Sequence, residues 1–442
     1  MRLVLAAVIF VCFGCSPDNR LTDAPLAPDT PGEDAPPGPC TGLQCQVVAC
    51  ESQGRPTTTI SGTVYTPNGA LPVFGVSVYV PNADPGPLLD GVQCTNCAGG
   101  LPGDPVAETR TNELGRFSLE GAPSGTDIPL VVTIGKWRRQ LVVPAVTECT
   151  DNPVDPELTR LPKNQTEGDI PKIALVTGSC DALECLIRKL GVEDSEFTSD
   201  TGTGRIHLYQ ANGAKQLTDG TTFAPAASLW DNLDKLKQYD IGLFSCECSE
   251  NPGGKSQTAI NNIKAYADAG GRLFLSHYHN IWIVGDSSKP QQVWPSVATC
   301  TSNGFTSGNG IIDTNKDNNP KGLSFSLWMQ YVMGSPAAGV IPIQDGRQSC
   351  QSIDNTKAER WVYLPSGGTQ YPQNFQFTTP NEIVPGARCG KVVFSDMHVA
   401  SGSSSRSGTP FPNDCSSGPM TPQEKALAFM FFDIASCVGV IQ

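Results

Sequence analysis

Seventeen cysteines in a chain of 442 residues constrain the fold more than any other feature of this sequence. A cysteine content of about 4% is high for a reduced cytosolic protein and low for a pure disulfide scaffold. We therefore expect an exported protein of two or three domains, each long enough to bury a core, in which most cysteines pair. Setting aside Cys12 in an apolar leader and Cys15 at its end leaves fifteen, so at least one thiol stays unpaired.

The N-terminus predicts export and a lipid tether. One arginine precedes an apolar run over residues 3–13, which is too short to span a bilayer and is typical of a signal peptide, here residues 1–14. The glycine before Cys15 makes this end resemble the bacterial lipobox, which implies a lipid on Cys15 that inserts into the bilayer. Ordinary cleavage without lipid is the alternative. Residues 15–56 read as a lipid-anchored Pro-rich linker with a Cys-rich end, and Ser16 resembles an outer-membrane sorting signal, which predicts an outer-membrane or cell-surface lipoprotein.

The charge of the chain argues against a nucleic-acid partner. Thirty Lys and Arg against 43 Asp and Glu give a formal net charge of −13, the wrong sign for that role. One dense basic cluster, residues 136–139, is able to hold a carboxylate or a sugar, and a solvated strand end is the alternative. A small polar or carbohydrate ligand therefore remains open.

Residues 57–160 are predicted to form a small antiparallel β-sandwich. Short segments rich in β-branched residues are separated by turn signals such as Pro67-Asn68-Gly69. The segments SGTVYTPNGALPVFGVSVYV and ETRTNELGRFSLEGAPSG resemble carboxypeptidase regulatory-like domains, which are transthyretin-like. That resemblance implies a spacer, a folding partner or a weak binder. Residues 81–105, with two cysteines, are an insertion relative to that family.

Residues 168–442 are predicted to form an α/β domain with a mainly parallel sheet, so that the chain as a whole is of mixed class. The reason is that short apolar segments alternate with segments of helical periodicity. A long insertion, residues 283–388, is expected to cover the ligand-binding edge of this sheet. The predicted strands are residues 172–177, 239–245, 272–276 and 391–395, and the predicted helices begin near residues 181, 229, 256, 324 and 421.

The segments YDIGLFSCECSE and AINNIKAYADAGGRLFLSH resemble class I glutamine-amidotransferase-like proteins of the ThuA-like branch. In amidotransferases proper, the strand after the glycine pair ends in a cysteine nucleophile, and a His-x-Glu pair follows late in the chain. Here that strand ends in Ser276-His277 and the late pair reads Asp396-Met397-His398. The resemblance therefore implies the fold without glutamine hydrolysis. It favours a cell-envelope lipoprotein with a binding or structural role, whose non-catalytic amidotransferase-like domain is presented on a β-sandwich spacer.

Three of the four histidines fall at the ends of two predicted strands. His277 and His279 follow one strand, and Asp396 and His398 follow another. Period-two spacing places each pair on one face, and parallel strands end at the edge where open α/β sheets bind ligands. These four side chains are candidate ligands for zinc or a similar divalent metal, although no cofactor is certain.

Three interpretations of this cluster stay open, and whether the chain is an enzyme depends on which of them is right. A bound metal would activate water and give an envelope hydrolase. Alternatively Ser276 or Cys246 acts as a nucleophile with His398 as the catalytic base. In the third interpretation, these polar residues only hydrogen-bond one another and fix the long insertion in place.

Overall fold

The computed structural model describes residues 39–95, 97, 99–285, 293–294, 297–301, 304–399 and 408–438. The predicted signal peptide, Cys15 and most of the Pro-rich linker lie outside the described residues. Among the described residues, no helix has both the length and the apolar character needed to cross a membrane. From Thr41 onward the chain forms one compact unit.

The N-terminal module consists of two small sheets that share a hydrophobic core. A three-stranded sheet has the order β4-β1-β7 and a four-stranded sheet has the order β3-β2-β5-β6. Ile60, Phe117 and Val78 are among the buried residues that fill the space between them. The strands are β1 (Thr59–Thr63), β2 (Ser77–Pro81), β3 (Pro105–Arg110), β4 (Arg116–Glu120), β5 (Gly125–Ile134), β6 (Trp137–Val146) and β7 (Asp151–Pro153), followed by the short helix α1 (Pro156–Thr159).

The C-terminal module alternates strands and helices, as the sequence pattern predicts. Its strands are β8 (Ile173–Thr177), β9 (Phe197–Thr198), β10 (Ile206–Gln210), β11 (Ala224–Pro225), β12 (Ile241–Phe244), β13 (Arg272–Ser276), β14 (Ala298–Cys300), β15 (Phe305–Ile312), β16 (Val340–Arg347), β17 (Cys350–Ile353), β18 (Glu359–Ser366), β19 (Thr369–Thr379) and β20 (Gly390–Ser395). Its helices are α2 (Leu183–Lys189), α3 (Ala227–Trp230), α4 (Leu233–Leu236), α5 (Gln257–Asp268), α6 (Ile281–Val284), α7 (Gly322–Tyr331) and α8 (Pro422–Ala435).

One large sheet runs through this module in the order β11-β10-β8-β12-β13-β20-β19-β18-β15-β16. The strands from β11 to β20 in that order pair in parallel, whereas β19, β18, β15 and β16 pair antiparallel. The mixed fold class is therefore confirmed. Four strands of the long insertion continue the sheet beyond β20. Two of them, β18 and β19, confirm the strands that the aromatic segments near Trp361 and Phe375 predict, but the sequence pattern did not indicate that they extend this sheet.

Two local predictions are wrong, and both have a physical reason. The helix expected over residues 229–238 is split into α3 and α4, because Asn232 is extended and its side chain caps α4 by accepting from the Lys235 N–H. The helix predicted to begin near residue 181 starts at Leu183 without the capping box that the sequence Asp181-x-x-Glu184 favours, because the Asp181 carboxylate accepts from Ser276 and Val399. The helix predicted to begin near residue 421 is confirmed as α8, and Thr421 and Glu424 form a capping box at its start.

Six disulfides have explicit partners in the described chain, which confirms the expectation of an oxidised protein. They are Cys50–Cys149, Cys94–Cys389, Cys97–Cys437, Cys180–Cys248, Cys185–Cys415 and Cys300–Cys350. Cys246 is the free cysteine among the described residues, and it is buried. Two of the bridges join the insertion between β2 and β3 to the C-terminal module, so covalent bonds tie the two modules together.

Candidate functional site

Three side chains with metal-binding atoms meet at the carboxyl edge of the parallel strands. Cys246 follows β12, His277 directly follows β13 and His398 follows β20. Because β13 lies between β12 and β20 in the sheet, the three residues after these strand ends are neighbours. This is the edge where open α/β sheets bind ligands.

The distances in this cluster are short. Cys246 Sγ lies 3.1 Å from His277 Nδ1, and the rings of His277 and His398 meet edge to face with their centroids 5.2 Å apart. One ligand atom from each of the three residues lies within 4.8 Å of the other two. The described residues therefore contain a Cys-His-His group that is able to hold a metal ion.

His277 occupies a strained position. Its φ is +46° at the turn where β13 passes into a short 3₁₀ helix, His277–Asn280. This left-handed conformation costs a non-glycine residue of order 1 kcal/mol or more and occurs most often at functional sites. The turn ends the alternation of the strand, so His277 and His279 do not lie on one strand face.

Cys246 is held by several contacts from the segment around it. Cys248 is bonded to Cys180, and the buried Glu247 carboxylate accepts from the Lys255 ammonium at 2.7 Å. Gly178 permits the approach of the neighbouring chain, because a Cβ there would lie 2.2 Å from the Cys246 carbonyl oxygen. The thiol therefore has a fixed position opposite His277.

Burial sets the protonation states of the cluster. Together with a smaller effect of the nearby Asp181 carboxylate, it raises the pKa of the Cys246 thiol to about 12. It lowers the pKa of His398 to about 4 and that of His277 still further. Both imidazoles are therefore neutral at neutral pH, which is the form that coordinates metals. The Nε2 atoms of both rings are buried and have no hydrogen-bond partner among the described residues.

Two of the predicted metal ligands are not part of the group of three. His279 uses both ring nitrogens for protein contacts, since Nε2 lies 2.9 Å from the Ser245 carbonyl oxygen and Nδ1 accepts from Trp282 Nε1 at 2.8 Å. Asp396 accepts from the Ser349 N–H through one oxygen, and burial raises its pKa to about 7. Its other carboxylate oxygen is buried and has no hydrogen-bond partner among the described residues.

Ser276, predicted as a nucleophile, faces a carboxylate rather than His398. Its hydroxyl donates to one oxygen of Asp181, and the other oxygen of that carboxylate accepts from the Val399 N–H. Asp181 thereby joins the ends of β13 and β20. The Ser276 hydroxyl therefore has a structural role. The nucleophilic atom that lies beside an imidazole is Cys246 Sγ.

Arg347, which sequence reasoning missed, lies close to the cluster. It ends β16 in the long insertion, and its backbone N–H donates to the Asp396 carbonyl oxygen at 3.0 Å. Burial is the main cause of the shifted pKa values of Cys246, His277 and His398. The positive charge of the Arg347 guanidinium is a further cause, and it lowers all three pKa values. The insertion therefore contributes a positive charge to the site.

Comparison with known proteins gives weak likenesses. No family model matches, and no curated protein matches. Among solved structures, a putative ThuA-like protein from Bacteroides uniformis is 11% identical, with 59% of this chain and 91% of that chain covered and a TM-score of 0.31. A type II cohesin–X-dockerin complex from Acetivibrio cellulolyticus is 13% identical, with 32% and 75% covered and a TM-score of 0.16.

Proposed function

We propose that this chain is a cell-envelope metal-binding protein that holds one zinc ion on Cys246, His277 and His398. The observation that carries the proposal is the approach of one ligand atom each from the buried Cys246 and His277 and the partly buried His398 to within 4.8 Å of one another. A thiolate and two imidazoles are a donor set that zinc prefers. In this proposal the metal centre stands where amidotransferases carry their nucleophile.

The donor atoms fit zinc in chemistry and in approximate position. Bonds of about 2.0–2.3 Å at tetrahedral angles require ligand atoms about 3.3–3.6 Å apart. Cys246 Sγ and His277 Nδ1 are already close enough, at 3.1 Å. The ligand atoms that lie farthest apart, at up to 4.8 Å, would have to approach each other by about 1 Å. The buried His398 Nε2, which has no hydrogen-bond partner among the described residues, is a nitrogen that a metal would satisfy.

The burial of the cluster favours a binding or structural role for the metal. Cys246 and His277 both have 0% of their surface exposed, and the raised pKa of the thiol argues against a free nucleophile. Binding zinc converts the thiol into a thiolate and transfers its proton to solvent. The side chains of Glu247, Lys255 and Asp181 then serve to position the ligands.

A metal-dependent hydrolase is the second candidate, and the position of Arg347 favours it. Three protein ligands leave one coordination position of a tetrahedral ion open, which is the pattern of catalytic zinc sites. When bound there, zinc lowers the pKa of a coordinated water. Arg347 would orient an anionic substrate through its guanidinium.

The cellular setting belongs to the same proposal. A signal peptide over residues 1–14, a lipid on Cys15 and the Pro-rich linker would place the folded modules at the outer membrane or cell surface. Cys15→Ala should then release the protein from the membrane fraction of cells that express it. Continued membrane partition of that variant would contradict the lipid anchor.

Metal analysis of the purified protein tests the zinc centre. After EDTA dialysis and zinc reloading, the native protein should retain about one zinc per chain by elemental mass spectrometry. Cys246→Ser and His398→Gln should each lose it, because each removes one of three ligands. His207→Gln is the matched control, since His207 is buried elsewhere against Tyr239. Equal zinc in all four proteins would refute the site.

A further inference from the structure

A cavity of about 390 Å³ lies between the four-stranded sheet of the sandwich and the C-terminal module. This volume is within the range of small-molecule sites. Its walls combine strands β2, β3, β5 and β6 with residues around Asp240 and Arg272, and with the insertion between β2 and β3. The cavity is separate from the cluster of Cys246, His277 and His398.

Polar side chains form a row across the sandwich sheet where it faces this cavity. Arg110 pairs with Ser77, Ser77 with Thr133, and Thr133 with Arg138. Residues directly opposite each other in antiparallel strands project from the same face. All four line the cavity, as does Tyr79, two residues beyond Ser77 on that face.

Two groups on this wall are buried without hydrogen-bond partners among the described residues. Tyr79 is 0% exposed, and its hydroxyl has no hydrogen-bond partner. One terminal nitrogen of the Arg138 guanidinium is likewise buried and has no hydrogen-bond partner. Arg138 is 3% exposed and is bonded through Nε to Asp169 at 2.8 Å. A buried donor without an acceptor is destabilising, so both groups favour a ligand that accepts hydrogen bonds.

The charges around the cavity are unbalanced. Four cations line it, Arg110, Lys136, Arg138 and Arg272, against one carboxylate, Asp240. Asp240 is already paired with Lys136, and the Arg272 guanidinium donates to backbone carbonyls, including that of Cys389 at 2.5 Å. Arg138 is compensated by Asp169, so the uncompensated positive charge lies on Arg110 and Arg272 and favours an anion in the cavity.

The rest of the wall is apolar and covalently fixed. Val92, Leu101 and Ile241 line the cavity beside the polar row. The insertion that carries the first two is held by Cys94–Cys389 and Cys97–Cys437, and both bridges border the cavity. A wall of this kind accommodates an apolar body at low cost in ordering.

We propose that this cavity binds a small organic carboxylate with an apolar body. The carboxylate accepts hydrogen bonds from Arg138 and the Tyr79 hydroxyl, and the exposed Arg110 adds charge at the side of the site. The apolar body packs against the insertion and Ile241. This site does not depend on the proposed zinc centre.

Titration calorimetry with cinnamate and its neutral amide, cinnamamide, tests the proposal on the full folded chain. Cinnamate should bind at least about tenfold more tightly, because only the carboxylate forms charge-assisted hydrogen bonds. Tyr79→Phe and Arg110→Gln should each weaken cinnamate binding by about five- to tenfold. Both substitutions leave the ion pair between the buried Arg138 and the partly exposed Asp169 intact, so folding is preserved.

Arg116→Gln is the matched control, because Arg116 is an exposed arginine of β4, outside the cavity lining. It removes the same charge as Arg110→Gln and should leave cinnamate affinity unchanged. The proposal is overturned if cinnamate does not bind, if cinnamamide binds equally well, or if Tyr79→Phe and Arg110→Gln have no effect.

Discussion

Removing the disulfide between Cys97 and Cys437 should lower the free energy of unfolding by about 4 kcal/mol. As long as Cys94–Cys389 remains, the Cys97–Cys437 bridge closes a covalent loop that runs only through residues 94–97 and 389–437. This loop contains about 51 residues. Chain entropy in the unfolded state gives about 4 kcal/mol at 25 °C for a loop of that length. Replacing both cysteines with serine and measuring urea unfolding under non-reducing conditions tests this value.

The bridge between Cys300 and Cys350 is a control of matched loop length. Its sequence separation is 50, so the same entropic argument predicts an equal loss of stability. Only loss of Cys97–Cys437 should also weaken cinnamate binding, because Cys97 and Cys437 line the cavity and Cys300 and Cys350 do not. A difference of more than about 2 kcal/mol between the two variants, or a loss below about 1 kcal/mol in both, would refute the entropic reasoning.

Two further predictions concern the support of the site and the joint between the modules. Gly178→Ala should lower the free energy of unfolding by about 1–3 kcal/mol and reduce the zinc content, because the added Cβ would overlap the Cys246 carbonyl oxygen. Gly253→Ala is the control, since its Cβ would meet no atom within 4 Å, and it should change neither quantity. The Arg160 guanidinium, bonded to Glu167, lowers the pKa of that carboxyl from 4.5 to about 2. Because this pKa is lower in the folded protein, the Glu167 carboxylate stabilises the fold above pH 4.5, and this stabilisation is lost as the pH falls to 2. In acid-unfolding curves, Glu167→Gln should therefore lower the free energy of unfolding by about 1–2 kcal/mol at pH 7 and by little at pH 2. A constant difference between native and variant across that range would contradict this account.

The strand and helix pattern predicted much of the fold because these segments have strong local signals. The predicted strand over residues 272–276 matches β13, and the helix over residues 256–269 differs from α5 by one residue at each end. The long insertion was harder to predict, since its four added strands are defined by pairing with β20 and with one another. Long-range pairing of this kind leaves little trace in local periodicity.

The candidate site was predicted only in part, for two physical reasons. Strand-end reasoning brought His277 and His398 together, but the positive φ of His277 directs the following residues into a helix and separates His279 from them. The tight spacing of Cys246 and Cys248 favours a disulfide from each to another part of the chain, which is wrong for Cys246, because its thiol is free. An odd number of cysteines predicts one free thiol but does not show which cysteine carries it. Arg347 reaches the site from a distant part of the chain, and no local pattern marks it.

X-ray absorption spectroscopy of the zinc-loaded protein tests the central claim most directly, because it identifies the atoms bound to the metal. Zinc on Cys246, His277 and His398 should give one sulfur neighbour at about 2.3 Å together with nitrogen or oxygen neighbours at about 2.0–2.1 Å. The sulfur contribution should vanish in Cys246→Ser, since Cys246 is the free thiol among the described residues. A coordination shell without sulfur in the native protein would contradict the zinc centre on Cys246, His277 and His398.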